Sequence, residues 1–263
     1  MRRTLAIAKK ELLTYFTTPI AYVVLATMTI IGSWFFLSLL GQFQRQSFEL
    51  VREGHDQLLI HMNLTDRVMV PLVINLAVIL LMSVPFLTMR LLAEEKKQGT
   101  MELLLTTPTR PLEIVLGKYL SALVLLFTAL TLTLSFPLLL SAFGTGPSGA
   151  IEWPTVLCGY LGLFLLGAGA MAIGLFISSL SSSQIVAAFL TLMILLLTWV
   201  VGWKAGDLDG MAREVLIYLS STQHMLSFAN GILDLKDVVY YVSYIILGLF
   251  LTHRALEGHR WIT

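Results

Sequence analysis

Charge is what this sequence has least of. Of its 263 residues only 13% are Asp, Glu, Lys or Arg, while 57% are hydrophobic. A soluble domain carries about 25% charged residues to hydrate its surface, so half that share excludes an ordinary water-soluble fold. The few charges are also segregated. None lies between Glu11 and Arg45, Arg67 and Arg90, Lys118 and Glu152, or Glu152 and Lys204. Each gap is long enough for the roughly 20 apolar residues that cross a bilayer as a helix. A single cysteine, Cys158, excludes an intramolecular disulfide and a cysteine-built metal site. The net charge of +1 leaves no nucleic-acid footprint.

Catalytic motifs are missing as well. A P-loop needs G-x-x-x-x-G-K-[ST]. The nearest stretch, Leu112 to Tyr119, has Leu in place of the first Gly and Tyr in place of Ser or Thr. H-E-x-x-H and G-x-S-x-G are absent, and the five histidines (55, 61, 224, 253, 259) lack metal-ligand spacing. No charged residue sits deep within an apolar run, so a proton-relay transporter lacks its machinery. The expectation is a chain that is not an enzyme and holds no metal or cofactor of its own.

What the sequence does contain is a series of hydrophobic spans. Six are expected, near 20–40, 69–91, 115–141, 155–179, 184–203 and 238–254. The fourth and fifth share the uncharged stretch Trp153 to Trp203, which is too long for one crossing; the turn-prone run Ser178 to Gln184 divides it. The sixth, with 16 residues between Asp237 and Arg254, is the shortest and calls for snorkelling ends or local thinning. The cationic start before the first span resembles a signal peptide. Its apolar run exceeds the roughly 7–15 residues of an h-region, however, so a retained span is expected.

Ahead of that span, Leu5, Ala8, Leu12 and Phe16 share one helical stripe, with Arg2, Arg3, Lys9 and Lys10 largely elsewhere. This pattern suits an interfacial helix over 1–18, ended by Pro19. With both termini in the cytoplasm, eleven of the 17 Lys and Arg fall on the inner side and six on the outer, as the positive-inside rule prefers. The fold class is thus an all-α polytopic membrane protein forming a single domain over 1–263. Small residues crowd the fourth span, and Ala170 with Gly174 form a small-xxx-small pair suited to close helix packing.

Three polar segments connect the spans. Gly41 to Val68 is expected as a solvated outer loop, the other reading being an amphipathic hairpin against a periplasmic partner. Ala205 to Leu235 carries Val215, Leu216, Leu219, Met225, Leu226 and Phe228 at helical spacing. A partly inserted outer helical hairpin before the last span would shield that backbone. His224 within it is expected as a hydrogen-bonded structural histidine, with a substrate or proton group as the alternative.

The third segment, Arg90 to Lys118, is the most informative. Gly99 offers a left-handed cap after Glu94, Glu95, Lys96 and Lys97. Thr100 can cap a short new helix whose first turn holds Glu102. Leu103, Leu104 and Leu105 would then present apolar surface in the cytoplasm, and Pro108 ends the helix. Such a cluster either docks another protein or folds back on the chain's own interfacial helix.

The pattern E-E-x-x-x-G-T-x-E-x-L-L-x-x-P, followed by G-K in the third span, resembles the type-2 ABC transporter permeases. The stretches KKEL…YFTTPIAYVV, GLFISSLSSSQIV and HMLSFANGILDLKDVVY are similar to the gliding-motility-type branch. In that family the loop is the coupling helix, seated in a groove of the ATPase. The resemblance lands on Glu94, Gly99, Thr100, Glu102, Leu103, Leu104, Pro108, Gly117 and Lys118, with Met101 inside the same helix. It also directs attention to His224, Phe228, Gly231 and Asp234 of the outer hairpin. It implies a multi-pass protein of the bacterial cytoplasmic membrane. The implied partners are a cytoplasmic ABC ATPase dimer, which would hold the ATP and Mg, a second identical or homologous permease, and a periplasmic auxiliary protein. Two functions follow: the permease of an ATP-driven exporter, or an anchor passing ATP-driven force to a periplasmic partner without transport.

Overall fold

The computed structural model describes residues 2–53, 63–101, 110–144, 151–207 and 209–260. Every regular element among them is helical. α1 (Arg2–Thr17) and α2 (Pro19–Arg52) are followed by a π-helical turn (Thr65–Met69) and α3 (Val70–Thr88). After the short α4 (Ala93–Lys97) come α5 (Pro111–Thr133), α6 (Ser135–Phe143), α7 (Trp153–Leu180) and α8 (Gln184–Val200). A 3₁₀ segment (Val201–Asp207) leads to α9 (Met211–Leu219), α10 (Ser221–Ala229) and α11 (Leu235–Arg260).

Among the described residues, six stretches are long and apolar enough to cross a membrane: Pro19–Arg52, Thr65–Lys97, Pro111–Phe143, Trp153–Leu180, Gln184–Lys204 and Leu235–Gly258. The helix starts follow local chemistry. Thr18 is extended (φ −102°, ψ 149°) and Pro19 opens α2, because proline disfavours helix in the residue before it and suits the first helical position. Pro111 opens α5 in the same way, and the Glu113 carboxylate accepts the Arg110 N–H at 3.0 Å. Between α7 and α8 the chain is extended at Ser181, whose Oγ accepts the Ser183 N–H at 3.0 Å.

Two boundaries differ from expectation. The sequence predicts a first span over 20–40 with a solvated loop beyond it, whereas α2 continues unbroken to Arg52. Gln42 to Arg52 holds good helix formers and no proline, so nothing stops the helix once begun. Residues 54–62 lie outside the described residues. The last span, expected as a short run from 238, belongs to a 26-residue helix that begins at Leu235. Asp237, which the sequence marks as its polar boundary, lies inside the helix and is buried.

α7 forms the centre of the bundle, packing most extensively on α11 and also on α3, α5, α8 and α10. Its small residues make this possible by letting neighbours approach on several sides. A Cβ at Gly162 would lie 2.5 Å from Phe228 of α10. From the facing side, a Cβ at Gly248 of α11 would lie 2.6 Å from the Ala172 carbonyl carbon. Close backbone approach is how helices gain van der Waals contact where water supplies no driving force. The step between α5 and α6 has a similar local cause. Pro137 cannot donate to the carbonyl of Thr133 four residues earlier, and the Tyr160 hydroxyl of α7 donates to that oxygen at 2.8 Å.

Candidate functional site

At the end of the bundle where α1 lies, the turn between α3 and α4 is clasped by a serine. Ser178 Oγ, near the end of α7, accepts the N–H groups of Leu92 (3.1 Å) and Ala93 (3.0 Å) and donates to the Met89 carbonyl (3.2 Å). Lys96 Nζ donates to the Ser179 carbonyl, a second tie to the same helix end. Tyr15 of α1 donates its hydroxyl to the Leu87 carbonyl at 2.8 Å, which satisfies a buried oxygen left without a helix partner at the C-terminus of α3. Burial, reinforced by the nearby Glu11 carboxylate, holds that hydroxyl's pKa well above its ordinary value, so it remains a donor.

A buried ion cluster joins three elements at this end. Lys118, two turns into α5 and 2% exposed, places its ammonium 2.8 Å from Glu95 of α4 and 3.0 Å from Glu11 of α1. α1 can lie this close because Gly117 carries no side chain: a Cβ there would lie 2.8 Å from Ile7. Glu95 Oε2 is buried without a partner among the described residues. The neighbouring Glu94 instead pairs with Arg90 through Nε (2.9 Å) and Nη2 (3.4 Å).

α4 ends in a two-bond closure. Gly99 is left-handed (φ 69°), its N–H donates to the Lys96 carbonyl (3.3 Å), and the Thr100 N–H donates to the Glu95 carbonyl (3.0 Å). Of the coupling residues singled out from the sequence, Glu94, Gly99, Thr100 and Met101 therefore lie here, with Met101 buried. Glu102, Leu103, Leu104 and Pro108 lie outside the described residues.

The opposite end of the bundle holds a second polar centre under the α9–α10 hairpin. His224 Nε2 lies 3.0 Å from the Tyr218 carbonyl, which can only accept, so Nε2 carries a hydrogen and donates. Nδ1 lies 2.6 Å from Asp237 Oδ1, a contact that needs one further proton held by either group. Both residues are buried, and Asp237 Oδ2 has no partner among the described residues. Aromatic side chains enclose the pair. Tyr240 stacks on the imidazole at 3.9 Å, and its hydroxyl donates to the Leu219 carbonyl at 3.0 Å. Tyr241 donates to the Ser221 carbonyl at 3.0 Å.

The other hairpin residues singled out from the sequence do structural work nearby. Phe228 is fully buried against Gly162 and Tyr241. Gly231 is left-handed (φ 77°) and closes α10 as Gly99 closes α4, with Ile232 N–H donating to the Ser227 carbonyl at 2.9 Å. Asp234 starts α11, and its hydrogen bond with Lys236 lowers its carboxyl pKa. His224 is thus brought to Asp237 rather than to Asp234. Within the hairpin only α10 is core. α9 has no buried residue, and Val215 and Leu219 are exposed.

Sequence reasoning missed Glu11, Glu95, Ser178, Asp237 and Tyr240 as site residues. Glu95 carried a signal as the second residue of the E-E pair, and Lys118 as the second residue of the G-K pair in the third span. The described residues contain no group of three or more His, Cys, Asp or Glu that could hold a metal ion.

A comparison with curated proteins found no match. Residues 5–249, nearly the whole chain, match the model of the ABC-2 family transporter proteins. With six helical stretches among the described residues long and apolar enough to cross a membrane, α7 central among them, this chain belongs to that family and is the membrane permease component of an ABC transporter.

Proposed function

We propose that this permease couples a separate cytoplasmic ATPase to the movement of a substrate out of the cell. ATP and Mg bind the partner ATPase dimer, and this chain contributes no cofactor. A second permease, identical or homologous, completes the transmembrane unit. Both termini and the 94–108 segment face the cytoplasm of a bacterial inner membrane, with α1 at the inner interface and the α9–α10 hairpin outside.

The observation that carries this proposal is the clasped turn beside α4. Ser178 and Lys96 fasten it to α7, and Glu95 fastens it through Lys118 to α5 and α1. A push on the segment that follows is therefore delivered to three helices at once rather than absorbed by a hinge. The double variant Glu102→Lys, Leu104→Asp tests the docking: it should insert in the membrane yet fail to co-purify with the ATPase. Retention at the wild-type ratio would overturn the assignment.

The second reading, an anchor that passes force to a periplasmic auxiliary protein, is supported by the likeness of the start, the α7–α8 junction and the hairpin to the gliding-motility-type branch. Reconstituted vesicles separate the two. ATP-dependent substrate accumulation supports export, whereas ATP-dependent release of a bound periplasmic partner without accumulation supports the anchor.

A further inference from the structure

α2 and α3 touch near mid-span and diverge toward the α1 end. A close approach lies at Gly32, where a Cβ would lie 3.1 Å from Leu76 Cδ2. Below it the two helices enclose a crevice of about 490 Å³ that runs from Ile31 and Val78 to Pro19 and Met89. Val24, Ile79 and Ser83 form a buried floor, and Val23, Met82 and Phe86 form an exposed rim. Ser83 Oγ is already bonded to the Ile79 carbonyl at 2.8 Å and asks nothing of an occupant.

We infer that this crevice holds one acyl chain of a glycerophospholipid drawn from the leaflet on the α1 side. Its length decides the leaflet. Ile20 to Ile31 spans roughly 17 Å at about 1.5 Å per residue, close to half of the ~30 Å hydrocarbon core. Its volume decides the kind of occupant. At about 490 Å³ it lies within the roughly 300–1,000 Å³ of small-molecule pockets and has room for a single acyl chain. The blind end at Gly32 makes this a resting place rather than a through path.

The open end supplies the polar contact. Thr18 precedes Pro19 and Arg90 follows Met89, so the polar pocket lined by Glu11, Thr14, Tyr15, Thr18, Arg90 and Glu94 adjoins the crevice, with the Glu11 carboxylate already paired to Lys118. Glu94 engages Nε and Nη2 of Arg90, and among the described residues Nη1 has no partner. A guanidinium so presented suits a phosphodiester oxygen at headgroup depth.

The full-length protein in nanodiscs of phosphatidylethanolamine and phosphatidylglycerol, doped with a phospholipid bearing a diazirine on one acyl chain, provides the test. Irradiation and peptide mapping should label 23–31 and 78–86 more heavily than the exposed α8 residues Ile185, Phe189 and Met193. Val24→Trp fills the floor and Val23→Trp blocks the rim; either should lower crevice labelling to the α8 level while leaving α8 labelling unchanged. Crevice labelling no heavier than that of α8 in the wild type would overturn the inference, as would cysteine cross-linking at Ile31 that joins two copies and excludes the probe. A diacylglycerol probe with the same chain should label the crevice less, and equal labelling would overturn the role given to Arg90. That comparison needs no variant, so it decides even where a tryptophan prevents folding.

Discussion

Lys118 meets Glu95 at 2.8 Å, and so the third membrane-crossing helix is bonded to the segment that leaves the second. The ammonium is almost fully buried and also serves Glu11. A buried ion pair adds little over an apolar pair of equal volume, but removing one partner strands a charge. The cluster therefore specifies an arrangement of α1, α4 and α5 more than it stabilises the protein.

Lys118→Ala should accordingly destabilise the protein by about 3–5 kcal/mol, because two carboxylates lose their common cation. Thermal unfolding of the detergent-solubilised protein measures this. Combining Lys118→Met with Glu11→Gln and Glu95→Gln should recover much of the loss. A triple variant no more stable than Lys118→Ala would show that the charges were not the cause.

Ser178→Ala removes one donor and one acceptor from the turn at 89–93 and leaves two N–H groups buried. The cost should be about 1–3 kcal/mol. Proteolysis should also quicken at residues 92–98 before it quickens elsewhere, since the serine is the clasp of that turn. Uniform quickening along the chain would argue for a general packing defect instead.

At the hairpin end, the tautomer of His224 is a direct observable. With Tyr218 accepting at Nε2, ¹⁵N NMR of labelled histidine should find a proton on Nε2. His224→Phe keeps the stack on Tyr240 but strands Asp237, with an expected loss of about 1–3 kcal/mol. Asp237→Asn added to His224→Phe should restore part of that loss by replacing the stranded carboxyl group with a neutral amide.

Glycines on the two sides of the packing rule should respond oppositely. Gly248→Ala drives a methyl into the Ala172 backbone and should cost about 1–3 kcal/mol. Gly41→Ala lies in α2 with nothing within 4 Å of the new Cβ. It should stabilise the helix by roughly 0.5–1 kcal/mol.

The six spans were legible because the physics that places them is one-dimensional: a run without charge either reaches across a bilayer or does not. Local punctuation was legible for the same reason, as at Pro19, Pro111 and the Ser181–Ser183 break. The end of the first span was not, because a helix leaving the membrane needs only the absence of a breaker to continue, and polarity alone does not supply one. The polar centres were hidden for a different reason. Glu11, Glu95 and Lys118 lie far apart in sequence, as do Ser178 and the turn it holds, and nothing local announces their partners. Asp237 was read as the boundary of a span because a buried carboxylate looks like an exposed one until its histidine is found.

α7 is bonded at one end to the turn at 89–93 and packed at the other beneath Phe228 and Gly231, the latter resting on Thr155 of α7. Its 28 residues reach roughly 42 Å at about 1.5 Å each, longer than the ~30 Å hydrocarbon core. Genetics should therefore see this helix as one locus. Lesions near Ser178 and near Gly162 should resemble each other in phenotype, and second-site suppressors of either should arise a membrane's width away.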